Sequence, residues 1–184
     1  MHSRNQLADV IRGFAIVLMV ADHFLAVFLD LGELRNFTRF ALPLFAILSG
    51  YYAGSGPSSR YSELWLAALI TWPLVVFLEL ALVHILLVFA LVYPLLWLPR
   101  NYFLIAFAFG LLQVVNWPIP WSGYQPGYVF SFLAFGRLVR EAGWILPNSS
   151  FSVPFAALVG RYPLSAYVSH ITVIYLITVS GSIL

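Results

Sequence analysis

Cysteine and lysine are both missing from this chain. Without cysteine there is no disulfide, no thiolate metal ligand and no thiol nucleophile. Without lysine the positive charge rests on arginine alone, and the net charge of +2 is too small to suggest binding to nucleic acid. Charge of either sign is scarce. Asp, Glu and Arg make up 9% of the 184 residues, whereas soluble domains carry about 25% charged residues. The other side of that scarcity is a chain that is 62% hydrophobic, with a mean hydropathy of +0.93. This composition points to an all-α integral membrane protein, because a helix satisfies its own backbone hydrogen bonds where water is absent. The length allows about seven helices, at about 20 apolar residues per span, in one domain over residues 1–184 with no separate soluble module. The first apolar run is interrupted by charges and lacks a small-residue cleavage pattern, so it does not read as a signal peptide. With no targeting motif, a multi-pass protein of a prokaryotic cytoplasmic (inner) membrane is expected, its first partner the lipid bilayer.

The run Asp9–Leu29, DVIRGFAIVLMVADHFLAVFL, contains Asp9, Arg12, Asp22 and His23. Each acid or arginine near a bilayer centre costs on the order of 2.5–3.5 kcal/mol on insertion scales, so such residues usually face a protein interior. At about 100° per residue, the eleven steps from Arg12 to His23 return to nearly one face. Asp9 and Met19 lie on or near that stripe and Asp22 sits to one side. Along the axis Arg12 and His23 are roughly 16 Å apart, too far to touch each other and right for one elongated ligand to touch both.

Helix 2 is expected over roughly Phe37–Ala53, with Arg39 at its start, Pro43 bending it, and Ser49-Gly50 allowing close approach of a neighbouring helix or a ligand. The turn-rich GSGPSSRYSE follows. The run from Leu64 to Leu98 is long enough for two helices, about Ser62–Leu80 and Ala81–Leu98, and carries Glu79 and His84 near the turn between them. Further helices are expected at about Tyr102–Asn116 and Tyr128–Glu141. A short helical lead-in at Phe155–Val159 precedes the last run, Gly160–Leu184. Counting crossings from an inside N-terminus puts Arg4, Arg60, Arg100, Arg137, Arg140 and Arg161 at inside ends and Arg35 and Arg39 outside, so the positive-inside rule favours N-in.

Three stretches carry a resemblance. Arg12, ten intervening residues and His23 resemble the R-x10-H signature of the membrane-bound acyltransferase 3 family, and RGFAIVLMVADHF is similar to its heparan-alpha-glucosaminide N-acetyltransferase-like members. PLFAILSGYY resembles the phrase after the first helix in that family, and GRYPLSAYVSH resembles a late-helix phrase that would bring in Tyr167 and His170. Asp22-His23 and the RFALPLF of Arg39–Phe45 are similar, in second place, to small pilin-acetylating TraX-like relatives. The chain departs from the larger relatives in having room for fewer helices and in Ala8, where they usually have leucine before the acid.

The resemblance implies transfer of an acyl group, most simply acetyl, from acyl-coenzyme A to a sugar, lipid or amine acceptor. It implies His23 as base or transient acyl carrier, with Asp22 and His170 beside it in the catalytic set. Arg12, Arg39, Ser49 and Gly50 are the candidates for holding acyl-CoA, and no metal is called for. Two other classes fit the composition. One is a non-catalytic transmembrane subunit of a larger membrane complex, or of a homo-oligomer, suited to short loops and many aromatics. The other is a small proton-coupled transporter in which Asp22, His23 and Glu79 relay protons.

Overall fold

The computed structural model describes residues 5–29, 38, 40–54, 56, 59–78, 85–116, 125–147 and 153–181. Of the residues singled out from the sequence, Arg4, Arg35, Arg39, Glu79 and His84 lie outside the described ones. Among the described residues there are helices and no strands. The first helix, α1, spans Gln6–Phe24 and widens into a π-helical turn over Leu25–Leu29. It is followed by α2 (Ala41–Tyr51), α3 (Ser59–Phe77), α4 (Ile85–Val92, continued as a 3₁₀ turn over Tyr93–Trp97) and α5 (Arg100–Asn116). Then come α6 (Pro126–Glu141), the two-turn α7 (Pro154–Arg161) and α8 (Pro163–Gly181).

Local chemistry explains where these elements begin and break. Asn5 caps α1, its side-chain oxygen accepting from the amide of Ala8 at 3.1 Å, so the helix starts before the apolar run does. Asp9 then falls in the first turn, on the positive end of the helix dipole. The sequence pattern predicts a bend at Pro43. The structure puts this residue in the first turn of α2, where a missing amide hydrogen leaves no intrahelical bond unmade. Pro94 does break a helix. It cannot donate to Ala90 four residues back, the chain tightens to 3₁₀, and the hydroxyl of Tyr61 on α3 donates to the Ala90 carbonyl instead, at 3.1 Å. The last run divides as well. Tyr162 leaves helical geometry (φ −125°, ψ 60°), which assigns Gly160 and Arg161 to α7 and lets Pro163 open α8 at the position that suits proline.

Two glycine contacts set how the helices run. A Cβ on Gly13 of α1 would sit 1.8 Å from the carbonyl oxygen of Ala156, and one on Gly160 of α7 would sit 1.7 Å from that of Asp9. Gly50 of α2 and Gly136 of α6 repeat the arrangement, against the carbonyls of Leu133 and Ile47, at 1.8 and 1.9 Å. Only glycine permits backbones this close. In both pairs each glycine faces the turn before the other, so α1 runs parallel to α7–α8, and α2 parallel to α6. Tyr61, at the start of α3, stacks against Tyr93 and meets Trp97 edge-on at the end of the α4 segment, making that pair antiparallel. Arg137 near the end of α6 lies over Phe103 near the start of α5, and these two are antiparallel as well.

One end of the bundle therefore gathers Asn5, Arg12, Tyr52, Tyr61, Trp97, Arg100, Arg137, Arg140 and Trp144. The core between the helices is apolar, built around Leu96, Phe103, Leu133 and Ile171. The outer faces are apolar too. Ile105 is 68% exposed, Phe109 63% and Leu66 60%. Two helical segments, Gln6–Leu29 and Pro163–Gly181, are long and apolar enough to cross a membrane by length and composition, and Ala41–Tyr51, Tyr61–Phe77 and Ile85–Trp97 are shorter apolar helices.

Candidate functional site: a histidine pair between α1 and α8

His23 is the penultimate residue of the α-helical part of α1, two residues before the π-helical turn begins at Leu25. Such turns often mark functional positions because they re-aim side chains out of helical register. His170 lies in α8. The rings meet edge to edge in nearly one plane, with centroids 5.1 Å apart and 9° between planes, and Nδ1 of His23 is 2.8 Å from Nε2 of His170. Tyr167, one turn before His170 on the same face, is buried and stands edge-on to both imidazoles, with centroids 6.1 Å from His23 and 4.9 Å from His170.

The hydrogen-bond chain selects tautomers. Nδ1 of His170 is 3.2 Å from the carbonyl oxygen of Ala166, which can only accept, so that nitrogen carries the hydrogen. Nε2 of a neutral His170 is then an acceptor, and Nδ1 of His23 donates to it. This leaves the basic lone pair of His23 on Nε2. An imidazole oriented through its other nitrogen is the arrangement a general base needs.

Arg12 sits on the same stripe of α1, nearer the arginine-bearing end. Its Nη1 is 3.2 Å from Oδ1 of Asp9, both side chains being largely buried, and its guanidinium lies 4.6 Å from the ring centre of Tyr52, just past α2. Between Arg12 and His23, the α1 residues Ile16 and Met19 line a small cavity with Phe45, Phe89, Leu164 and Tyr167. Its walls are apolar, and Tyr167 is common to the cavity and the histidine pair.

The remaining candidates are distributed differently. Asp22 accepts a hydrogen bond of 2.7 Å from the hydroxyl of buried Thr38, a partner ahead of α2, in line with its position to one side of the His23 face. Ser49 is half-buried on α2. The open side of Gly50 is filled by the α6 backbone, so its small size serves helix packing rather than a ligand. Sequence reading did not single out Tyr52, Thr38 or the Ala166 carbonyl. Tyr52 had one signal, its place at the end of the PLFAILSGYY phrase, while the other two had none. Among the described residues no three His, Asp or Glu side chains converge as metal ligands. No protein-family model, curated protein or solved structure matches the chain.

Proposed function

We propose that this chain is a membrane-embedded acyltransferase that moves a short acyl group from acyl-coenzyme A to a hydroxyl or amine acceptor. The observation that carries the proposal is the oriented histidine pair, His23 donating to His170 and His170 to the Ala166 carbonyl, on the helix face that also bears Arg12. In the proposed reaction, Nε2 of His23 takes the acceptor's proton as its oxygen or nitrogen attacks the thioester carbonyl. The carbon–sulfur bond breaks, and the thiolate of coenzyme A leaves with the proton returned by the imidazolium. Neutral His170, still accepting from Nδ1, stabilises the transient charge on His23. Arg12 would bind a phosphate of the donor, exchanging its contact with Asp9 for a charge-assisted pair. The apolar cavity lined by Ile16, Met19 and Tyr167 lies on the same stripe, between Arg12 and His23.

The membrane setting belongs to the same proposal: seven alternating elements, α1 to α6 and the broken α7–α8, with the N-terminus inside. Apolar outer faces support it, as does the gathering of Arg12, Arg100, Arg137 and Arg140 toward one end, in keeping with the positive-inside rule.

The test is calorimetric binding of acetyl-coenzyme A to the purified protein in detergent, alongside release of free coenzyme A. Binding with turnover that His23→Ala abolishes supports the proposal. A wild type that binds no acyl-coenzyme A would overturn it in favour of the non-catalytic membrane subunit.

A further inference from the structure

The segment after α6 exposes two large apolar side chains, Trp144 at 73% and Ile145 at 87%. Its backbone is nonetheless fixed. Gly143 takes a left-handed conformation (φ +79°), and the amides of Gly143 and Trp144 close α6 by donating to the carbonyls of Arg140 and Val139 at 3.0 and 3.2 Å. This is the six-to-one and five-to-two pattern of a glycine-terminated helix. Beyond it, the hydroxyl of Tyr51 donates to the carbonyl of Trp144 at 2.8 Å and accepts from the amide of Leu146 at 3.3 Å. The side-chain amide of Asn5 donates to the carbonyl of Leu146 at 3.0 Å. The bundle thus supplies partners for the backbone groups of Trp144 and Leu146, while the side chains of Trp144 and Ile145 are exposed.

From this we infer that the Trp144–Ile145 tip is an interfacial foot, seated at the headgroup–acyl boundary of the leaflet at the arginine-bearing end. The inference rests on the membrane setting proposed above. Two observations choose lipid over a protein partner. The backbone groups of Trp144 and Leu146, on either side of Ile145, are bonded within the protein, which lowers the cost of placing the segment where water is scarce. The tip also adjoins exposed Arg140 and lies at the same end as exposed Arg100, so cationic groups that suit anionic headgroups flank an aromatic and an aliphatic side chain that suit the boundary just beneath. The foot is joined through Tyr51 to Tyr52 (ring centroids 5.0 Å apart) and so to Arg12, which would set that end of the site at headgroup depth.

The absence of cysteine makes the test direct. Ile145→Cys and, on the outer face of α5, Ile105→Cys are each labelled with an environment-sensitive fluorophore. Both are reconstituted in phosphatidylcholine–phosphatidylglycerol vesicles carrying nitroxide lipids, shallow or deep. The expected result is blue-shifted emission at 145, quenched more by shallow than by deep nitroxide and shielded from aqueous iodide, with the reverse depth preference at 105. Adding Tyr51→Phe should reduce the shallow quenching at 145, because the hydroxyl that holds the tip is gone. Quenching at 105 together with a water-like, iodide-accessible probe at 145 overturns the foot and leaves the membrane setting standing. Absence of lipid quenching at both positions overturns the two together.

Discussion

Nδ1 of His23 lies 2.8 Å from Nε2 of His170 across an offset of 147 residues, and Gly13 and Gly160 approach across that same offset. The glycine contact acts as a register pin. By pressing the backbones of α1 and α7 together without side chains between them, it brings the turn bearing His170 level with the turn bearing His23. The chemistry and the packing are thus two consequences of one parallel alignment.

Replacing His23 by alanine removes the base and leaves Arg12 in place. Turnover should fall by about 10²–10⁴-fold, with donor binding nearly unchanged, as read by coenzyme A release and calorimetry on the same preparation. Normal turnover in this variant would mean that the proton goes elsewhere.

Arg12→Ala should act in the opposite sense. Loss of the guanidinium weakens donor binding, so KM rises and high acyl-coenzyme A restores most of kcat, the signature of a group that binds ground state and transition state alike. An unchanged KM would detach Arg12 from the donor and leave it as the partner of Asp9 and Tyr52.

His170 is a positioning residue in this scheme, and its replacements should separate. His170→Gln retains a side-chain oxygen able to accept from Nδ1 of His23, whereas His170→Ala retains nothing. Activity should order as wild type, then Gln, then Ala, and the apparent pKa of the rate profile should shift with the substitution because the partner of the titrating imidazole has changed. Equal rates and superimposable pH profiles for all three would show that the contact is structural.

Adding a methyl at Gly13 puts a Cβ 1.8 Å from a carbonyl oxygen, so Gly13→Ala forces α1 and α7 apart. Overpacking of this kind costs about 1–3 kcal/mol, and the register shift should also lower activity. Gly181→Ala, with nothing within 4 Å of its Cβ, is the matched control and should leave thermal stability unchanged. Equal melting behaviour of the two variants would argue against the close contact.

Tyr61→Phe tests the repair at Pro94. The Ala90 carbonyl loses the hydroxyl that stands in for the missing amide, and an unsatisfied buried acceptor costs about 1–3 kcal/mol. Thermal or denaturant unfolding in detergent should record that loss, and a variant as stable as wild type would mean another donor takes over the carbonyl.

What the sequence determined by itself is local to single helices. Composition specified helical structure, and the 3.6-residue period put Arg12, Ile16, Met19 and His23 on one stripe of α1. Tyr167 and His170 shared a face of α8 for the same reason, and Asp22 stood off the His23 face. Helix ends were less legible. Whether Pro43 and Pro94 start a helix or break one depends on where the helix begins, which is set by capping and by the partners that take up freed carbonyls. Contacts between helices were decided by tertiary structure. Nothing in the run around Gly50 distinguishes a ligand site from a helix crossing until the carbonyl of Leu133 is found against it. Likewise the tautomer of His23 depends on His170 and, through it, on the Ala166 carbonyl. Those relations span about 147 residues of chain, and periodicity within one helix carries no information about the rotation and offset of another. Close approach at glycine supplies both, because two backbones in contact leave only one register in which the side chains above them meet.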